Sequence, residues 1–160
     1  MKRTEPIKKC TLLDLETTGL EPEVHEIIEI GWVTFNWRTL ERLESASYKV
    51  QPQRIERADP KALRVNGYTP EKWKNAISLT KGLARLAYSA VGGIFGGYNF
   101  AFDWAFLSKA FHKRGMDIES DFSYHRLDVM SMAHIIAGPE RERNSDKALG
   151  LTAMCELFEV

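Results

Sequence analysis

Cysteine is scarce: Cys10 and Cys155 are the two thiols in 160 residues. That excludes the dense disulfide framework of a small secreted scaffold, so reduced thiols and a cytoplasmic setting are expected. Charge of one sign is also lacking. Lys and Arg number 22 and Asp and Glu number 22, so the formal net charge is zero. A binder held on nucleic acid by bulk positive charge is thereby excluded, whereas a basic surface beside an acidic site stays open. Long apolar runs are absent too. The nearest, 87–102, is broken by Gly92, Gly93, Gly96, Gly97 and Asn99. It falls short of the 18 or so apolar residues that a membrane span needs. The opening MKRTEPIKK carries charge with no apolar stretch of signal-peptide kind behind it. No repeat or low-complexity tract occurs.

What is present suits one globular domain over 1–160. Apolar residues make up 44% and charged residues 28%, and a chain of this length buries roughly 70% of its unfolded surface. Residues 9–15 (KCTLLDL) read as a short buried strand, ended by the Thr17-Thr18-Gly19 turn. Segments 26–36 and 41–50 read as two further strands, the third antiparallel to the second. Asp59-Pro60 opens a helix that ends near Asn66-Gly67. A helix is expected over 76–90, with Ile77, Leu83, Leu86 and Ala87 on one face. Residues 93–98 form a short strand whose glycines permit close backbone approach. Helices follow at 100–114, 129–137 and 151–158. Strands first, then helices with one strand between them, predict an α/β fold: a mixed sheet covered by helices.

Two acidic pieces stand out. Asp14 and Glu16 sit two apart at the end of an apolar strand. Period-two geometry puts them on one face with Cα atoms about 6.6 Å apart, placed to share one hard, partly hydrated cation. A bare D-x-E is weak, since chance gives ~0.6 in a chain this long. Carboxylates so close to a buried strand are costly unless paired, solvated or metal-bound. Thr17 and Thr18 add hydroxyls, and Gly19 lets the backbone turn. The second piece, Asn99-Phe100-Ala101-Phe102-Asp103, opens a helix after a glycine-rich strand. Asn99 is expected as its N-cap, with Asp103 in the first turn, where a carboxylate is favoured.

Together these pieces resemble the DEDD (DnaQ-like) superfamily of 3′–5′ exonucleases, most nearly its histidine branch of proofreading-subunit and RNase T type. DLETTGL (14–20) is similar to the family's opening motif, and HEIIEIGWV (25–33) to its second strand. Asn66 to Glu71 (NGYTPE) resembles a short helix–turn segment. Asn99-x-x-Phe102-Asp103 matches the second exonuclease motif. LDVM (127–130) and ALGLTAMC (148–155) resemble the helical segments before the third. The resemblance implies an RNase H-like sheet and a two-metal hydrolysis of phosphodiesters with Mg²⁺ or Mn²⁺. It implies Asp14 bridging both ions, Glu16 on the first and Asp103 supporting the second. Thr17, Thr18, Leu20, Asn99 and Phe102 are implied contacts to the 3′ end of a single-stranded DNA or RNA. A polymerase or a second copy of the chain is a possible partner.

One motif is missing. The histidine branch carries H-x-A-x-x-D, in which the His is the general base, and residues 1–160 contain none. The expectation is an exonuclease domain cut before its last catalytic segment. Loss of the base would cost a factor of 10² to 10⁴ or so, leaving the chain alone nearly inactive. The alternative is a catalytically incomplete domain that binds nucleic acid or a polymerase. His112 and Asp117 have the five-residue offset but Arg114 replaces the alanine, so surface roles are expected. Tyr124 and Asp128 fit the Y-x-x-x-D of the other branch, yet Asp128 reads better as the N-cap of the 129–137 helix. His25 and His134 read as structural or solvent-facing. Lys109, Lys113 and Arg114 on one helix, and Arg141, Arg143 and Lys147 beyond residue 137, are candidate phosphate contacts. The four tryptophans, Trp32, Trp37, Trp73 and Trp104, are expected in the core.

Overall fold

The computed structural model describes residues 8–116, 122–137 and 150–158. Three antiparallel strands open it: β1 (Lys9–Thr17), β2 (Ile27–Asn36) and β3 (Arg42–Lys49). After a turn of 3₁₀ helix at Ile55–Arg57 come α1 (Pro60–Val65), α2 (Pro70–Trp73) and α3 (Leu79–Ala90). The chain then returns through β4 (Ile94–Gly97) to α4 (Phe100–His112). A short β5 (Arg126–Asp128) leads directly into α5 (Val129–Ala137), and α6 spans Leu151–Phe158. The five strands lie in the order β3-β2-β1-β4-β5, with β4 and β5 parallel to β1. This mixed sheet with helices is the RNase H-like architecture expected from the motifs.

Side-chain alternation sets the faces. On β1, Thr11, Leu13, Leu15 and Thr17 are buried while Asp14 is exposed. Leu13 and Leu15 pack with Ile30 and Trp32 of β2, Leu83 and Leu86 of α3, and Phe106 and Leu107 of α4. Each such leucine or phenylalanine contributes about 1.5–3 kcal/mol by leaving water. Polar atoms within this layer are paired. The hydroxyls of Thr11 and Thr34 lie 2.9 Å apart, and Thr34 is 2.8 Å from Ser89, so three hydroxyls share hydrogen bonds across β1, β2 and α3.

Four local expectations need correction. β1 runs two residues further than its apolar letters suggest, because its partnership with β2 continues through Glu16 and, after a register shift, Thr17↔Ile27. Ile77 lies outside α3: Ser78 is the N-cap, its side chain accepting from Lys81 N, and Ile77 forms a bridge with Val50. Trp37 sits in the turn after β2 and is 39% exposed, unlike the buried Trp32 and Trp73. Asn99 stands at the N-cap of α4 but in the left-handed region (φ 56°, ψ 46°), and its side chain caps nothing. Asp59 behaves as expected, its carboxylate accepting from Lys61 N at 2.7 Å.

Candidate functional site

The β1–β4 ladder ends at Leu12↔Gly96. Beyond it, β1 keeps an N–H that no β4 residue meets, that of Leu15. Asp103 meets it: the Leu15 amide donates to Asp103 Oδ1 at 2.9 Å. Two features bring Asp103 there. Gly97 lies so close to β1 that a Cβ would stand 2.7 Å from the Leu13 carbonyl oxygen, so α4 starts hard against the strand. Asp128, at the end of β5, then holds the first turn of α4, with Phe100 N–H donating to its Oδ1 at 3.3 Å. Asp103 is thus a buried first-turn carboxylate (3% exposed) fastened to the strand that carries Asp14 and Glu16.

The electrostatics are those of like charges held together. Asp103 is pushed up to about 6, first by burial and then by the negative charges of Asp14 and Glu16, against the Leu15 hydrogen bond. Glu16 is also raised, by burial, by Asp14 and by Glu29, its cross-strand neighbour. Lys49 opposes that shift but is already engaged. It donates to Glu29 at 3.0 Å and lies over the Trp73 ring at 4.0 Å. Burial would raise Glu29, yet its hydrogen bonds from Ser47 and Lys49 win and lower it. Asp14, Glu16 and Asp103 therefore repel one another, and the one nearby lysine serves a fourth acid.

Hard oxygen donors with excess negative charge suit Mg²⁺ or Mn²⁺. Among the described residues no three His, Cys, Asp or Glu side chains already converge tightly enough to hold an ion. The donor chemistry of Asp14, Glu16 and Asp103, all carboxylate oxygen, is that of a divalent-cation site.

The other candidates divide into two groups. Thr17 and Thr18 are buried, and their hydroxyls build the turn: Thr17 Oγ1 donates to the Gly19 carbonyl at 2.7 Å, and Thr18 Oγ1 accepts from Glu26 N at 2.9 Å. Leu20 is 75% exposed beside them. Asn99 is exposed, while Phe102 is half-buried with its ring 5.2 Å from that of Phe106. Gly19 is needed for room: a Cβ there would sit 2.4 Å from the His25 ring. His25 Nδ1 in turn accepts the Glu21 amide at 3.0 Å, a structural role as expected.

The decoys resolve by their partners. Besides capping α4, Asp128 accepts the Ser131 hydroxyl at 2.5 Å and backbone N–H groups of Ser131 and Met130, so it caps α5 as well. Burial opposes those bonds, and the bonds prevail to lower its carboxyl. Tyr124 is 79% exposed, its ring 4.0 Å from that of His125. His112 is exposed, its Nδ1 2.8 Å from the Ser108 carbonyl oxygen. His134 is half-buried on α5. Asp117, Arg141, Arg143 and Lys147 lie outside the described residues.

Sequence reading missed the ties behind the turn. Asn66 Nδ2 donates to the Thr17 carbonyl at 2.8 Å, and Asp59 N donates to the Thr18 carbonyl at 2.8 Å. No local signal links residues so far apart. Glu29 had one: pairing β1 and β2 as a hairpin places it opposite Glu16.

Comparison with known proteins supplies the context. Residues 11–160 match the exonuclease family of RNase T type. Ribonuclease T of Buchnera aphidicola subsp. Baizongia pistaciae is 25% identical over 88% of this chain and 71% of its own. The PolC-type DNA polymerase III of Thermotoga maritima is 30% identical over 76% of this chain, which spans 8% of that protein. Among solved structures, product-bound exonuclease I superposes with a TM-score of 0.76 at 17% identity, over 94% of this chain and 38% of that one. Escherichia coli exonuclease I in complex with a dT13 oligonucleotide gives 0.76 at 18% identity, over 93% and 35%. The chain thus spans little more than a third of the exonuclease I structures it matches.

Proposed function

The chain belongs to the exonuclease family, and on that footing we propose that it hydrolyses phosphodiester bonds from the 3′ end of single-stranded nucleic acid with two divalent ions. The observation that carries this reading is the fastening of buried Asp103 to the backbone of Leu15, which sets a third carboxylate beside Asp14 and Glu16. Their mutual repulsion without a metal becomes attraction once Mg²⁺ or Mn²⁺ arrives. Bound ions would supply an activated water and stabilise the leaving oxygen. Asp14 and Glu16, on one face of β1, and Asp103, whose Oδ1 accepts from Leu15, would hold the ions between them.

In this reading the Thr17–Leu20 turn receives the terminal nucleotide. Its buried hydroxyls shape the loop, so its backbone and the exposed Leu20 make the contact. Asn99 and Phe102 flank the opening of α4. The names of the relatives point to both sugars, a ribonuclease and a DNA polymerase, so both belong in the assay. The PolC likeness makes a polymerase context part of the proposal. Both cysteines are free, which suits the cytoplasm, and among the described residues no helix is long and apolar enough to cross a membrane.

The test is a gel assay on 5′-labelled single-stranded DNA and RNA with Mn²⁺, with EDTA, and with Asp14→Asn. A metal-dependent ladder shortened from the 3′ end is expected, weak because residues 1–160 hold no H-x-A-x-x-D base, and lost in the variant. Internal cuts would overturn the exonuclease reading. Metal binding and strand binding with no cleavage would favour the alternative, a binding module on the same fold.

A further inference from the structure

Behind the turn that carries Thr17–Leu20, a cavity of about 400 Å³ opens between the 22–27 segment, residues 51–54, the start of α3 and the later turns of α4. Its charge is opposite to that of the carboxylates. Arg54, Lys109, Lys113 and Arg114 line it, against the single carboxylate of Glu26. In a chain of zero net charge this is a concentration of positive charge.

The neighbouring acids are already used. Glu26 Oε2 accepts the amides of Gln53 at 3.0 Å and Arg54 at 2.7 Å, and its Oε1 lies 3.8 Å from Arg54 Nε. Glu23 pairs with Lys109 at 2.8 Å, and Lys109 also donates to the Pro22 carbonyl at 2.5 Å. Arg114 is fixed in place, with Nε donating to Thr80 Oγ1 at 3.1 Å and Nη1 to the Ala110 carbonyl at 3.0 Å. Among the described residues the Lys113 ammonium has no hydrogen bond or ion pair and acts on Glu23 only through space. Ser78, Leu79 and Thr80 also line the cavity, so the positive end of the twelve-residue α3 adds to the same field. A fixed guanidinium, an unengaged ammonium and a helix N-terminus around one cavity match a phosphate group.

The position relates the cavity to the carboxylates. Ile27 in its lining is the ladder partner of Thr17, and Phe106 in its lining is one turn of α4 beyond Asp103. Lys113 lies ten residues past Asp103, about 15 Å along the helix axis.

We propose that this cavity binds a phosphate group, carried either by the backbone of the bound strand or by the released mononucleotide. The proposal deepens the exonuclease reading and rests on it for the identity of the phosphate carrier.

The test uses the full chain in EDTA, which stops hydrolysis, with Lys113→Glu and Lys113→Arg. Labelled dT12 and rU12 are titrated by anisotropy between 50 and 200 mM salt, and a 5′-mononucleotide is titrated by amide NMR. If the strand is the ligand, Lys113→Glu weakens oligonucleotide binding about tenfold and lowers the salt slope by about 1, and Lys113→Arg restores both. If the product is the ligand, the mononucleotide shifts the amides of 78–80 and 113–114, and Lys113→Glu abolishes those shifts. A lysine at a helix end also complements the helix dipole, a role that moves the melting temperature but not the salt slope. Unchanged affinity and slope with no cavity shifts overturns the proposal. Wild type that trims 3′ ends yet gives that result leaves the exonuclease reading standing. Phosphate bound here by a chain with no metal-dependent trimming does the reverse.

Discussion

The carboxylate cluster and the cationic cavity share the segment between β1 and β2, yet they handle charge in opposite ways. In the cluster, like charges are held together, and the buried Asp103 is offset by the backbone amides of Leu15 and of Asp103 itself. In the cavity, Lys109 has Glu23, Arg54 has Glu26, and Arg114 has a hydroxyl and a carbonyl. In the first arrangement the charges oppose one another; in the second most are satisfied by partners. Like charges tolerated within an otherwise paired structure single out a candidate site better than the number of charges does.

The largest expected effect breaks the cluster. Asp103→Asn keeps an oxygen to accept from Leu15 while removing the charge. Its nuclease activity should fall by about 10³, as measured in the labelled-strand assay. Metal-free stability should move the other way. The folded carboxyl titrates at about 6 against an ordinary value of 3.8. The folded state therefore holds the extra proton between those values, and its stability falls as pH rises through them, with the full penalty present above about 6. The variant should thus melt higher than wild type at pH 8, by up to about 3 kcal/mol, with the gap closing below pH 4. Saturating Mg²⁺ should raise the wild type and not the variant. A variant less stable than wild type at pH 8 would mean that Asp103 is paired rather than strained.

The next effect tests the turn that both regions share. Gly19→Ala drives a methyl into the His25 ring, a clash expected to cost about 1–3 kcal/mol. Adding His25→Ala opens the space and should restore most of the loss. Denaturant melts of the two variants check it, and equal melts of the single and double variants would show that the ring is not the obstacle. The smallest effect is Glu23→Gln. Glu23 is fully exposed, its carboxyl held low by its Lys109 hydrogen bond and charge. Exposed pairs contribute little, so the melting temperature should stay within error, while the cavity becomes more positive and phosphate binding tightens. A clear loss of stability would assign the loop's attachment to α4 to this pair.

Much of the fold was legible because it rests on local rules. The strands read at 9–15 and 26–36, the Asp59-Pro60 start and the helix read at 76–90 all form, with ends moved by one to three residues. The errors fell at boundaries decided by distant contacts. Ile77 joins Val50 instead of α3. Asn99 is the residue type of a cap, but the tight exit from β4 forces it left-handed, and Asp128 takes over the capping from 28 residues away. The 14/16 pair and Asp103 were legible as motifs. The inward use of the Thr17 and Thr18 hydroxyls was not, because an exposed and a buried threonine look alike in sequence.

By itself, the sequence determined which residues alternate onto the core, where the longer helices form, and that three carboxylates stand in two motifs that follow apolar strands. These follow from periodicity and capping, which act over a few residues. The tertiary structure alone decided that Asp103 reaches the Leu15 amide, that Lys49 stands near Glu16, and that four cations from two segments gather around one cavity. Those outcomes depend on where β4 leaves the β1 ladder and how α4 crosses the sheet. Backbone hydrogen bonds and burial set both over separations of tens of residues, and no local pattern encodes them.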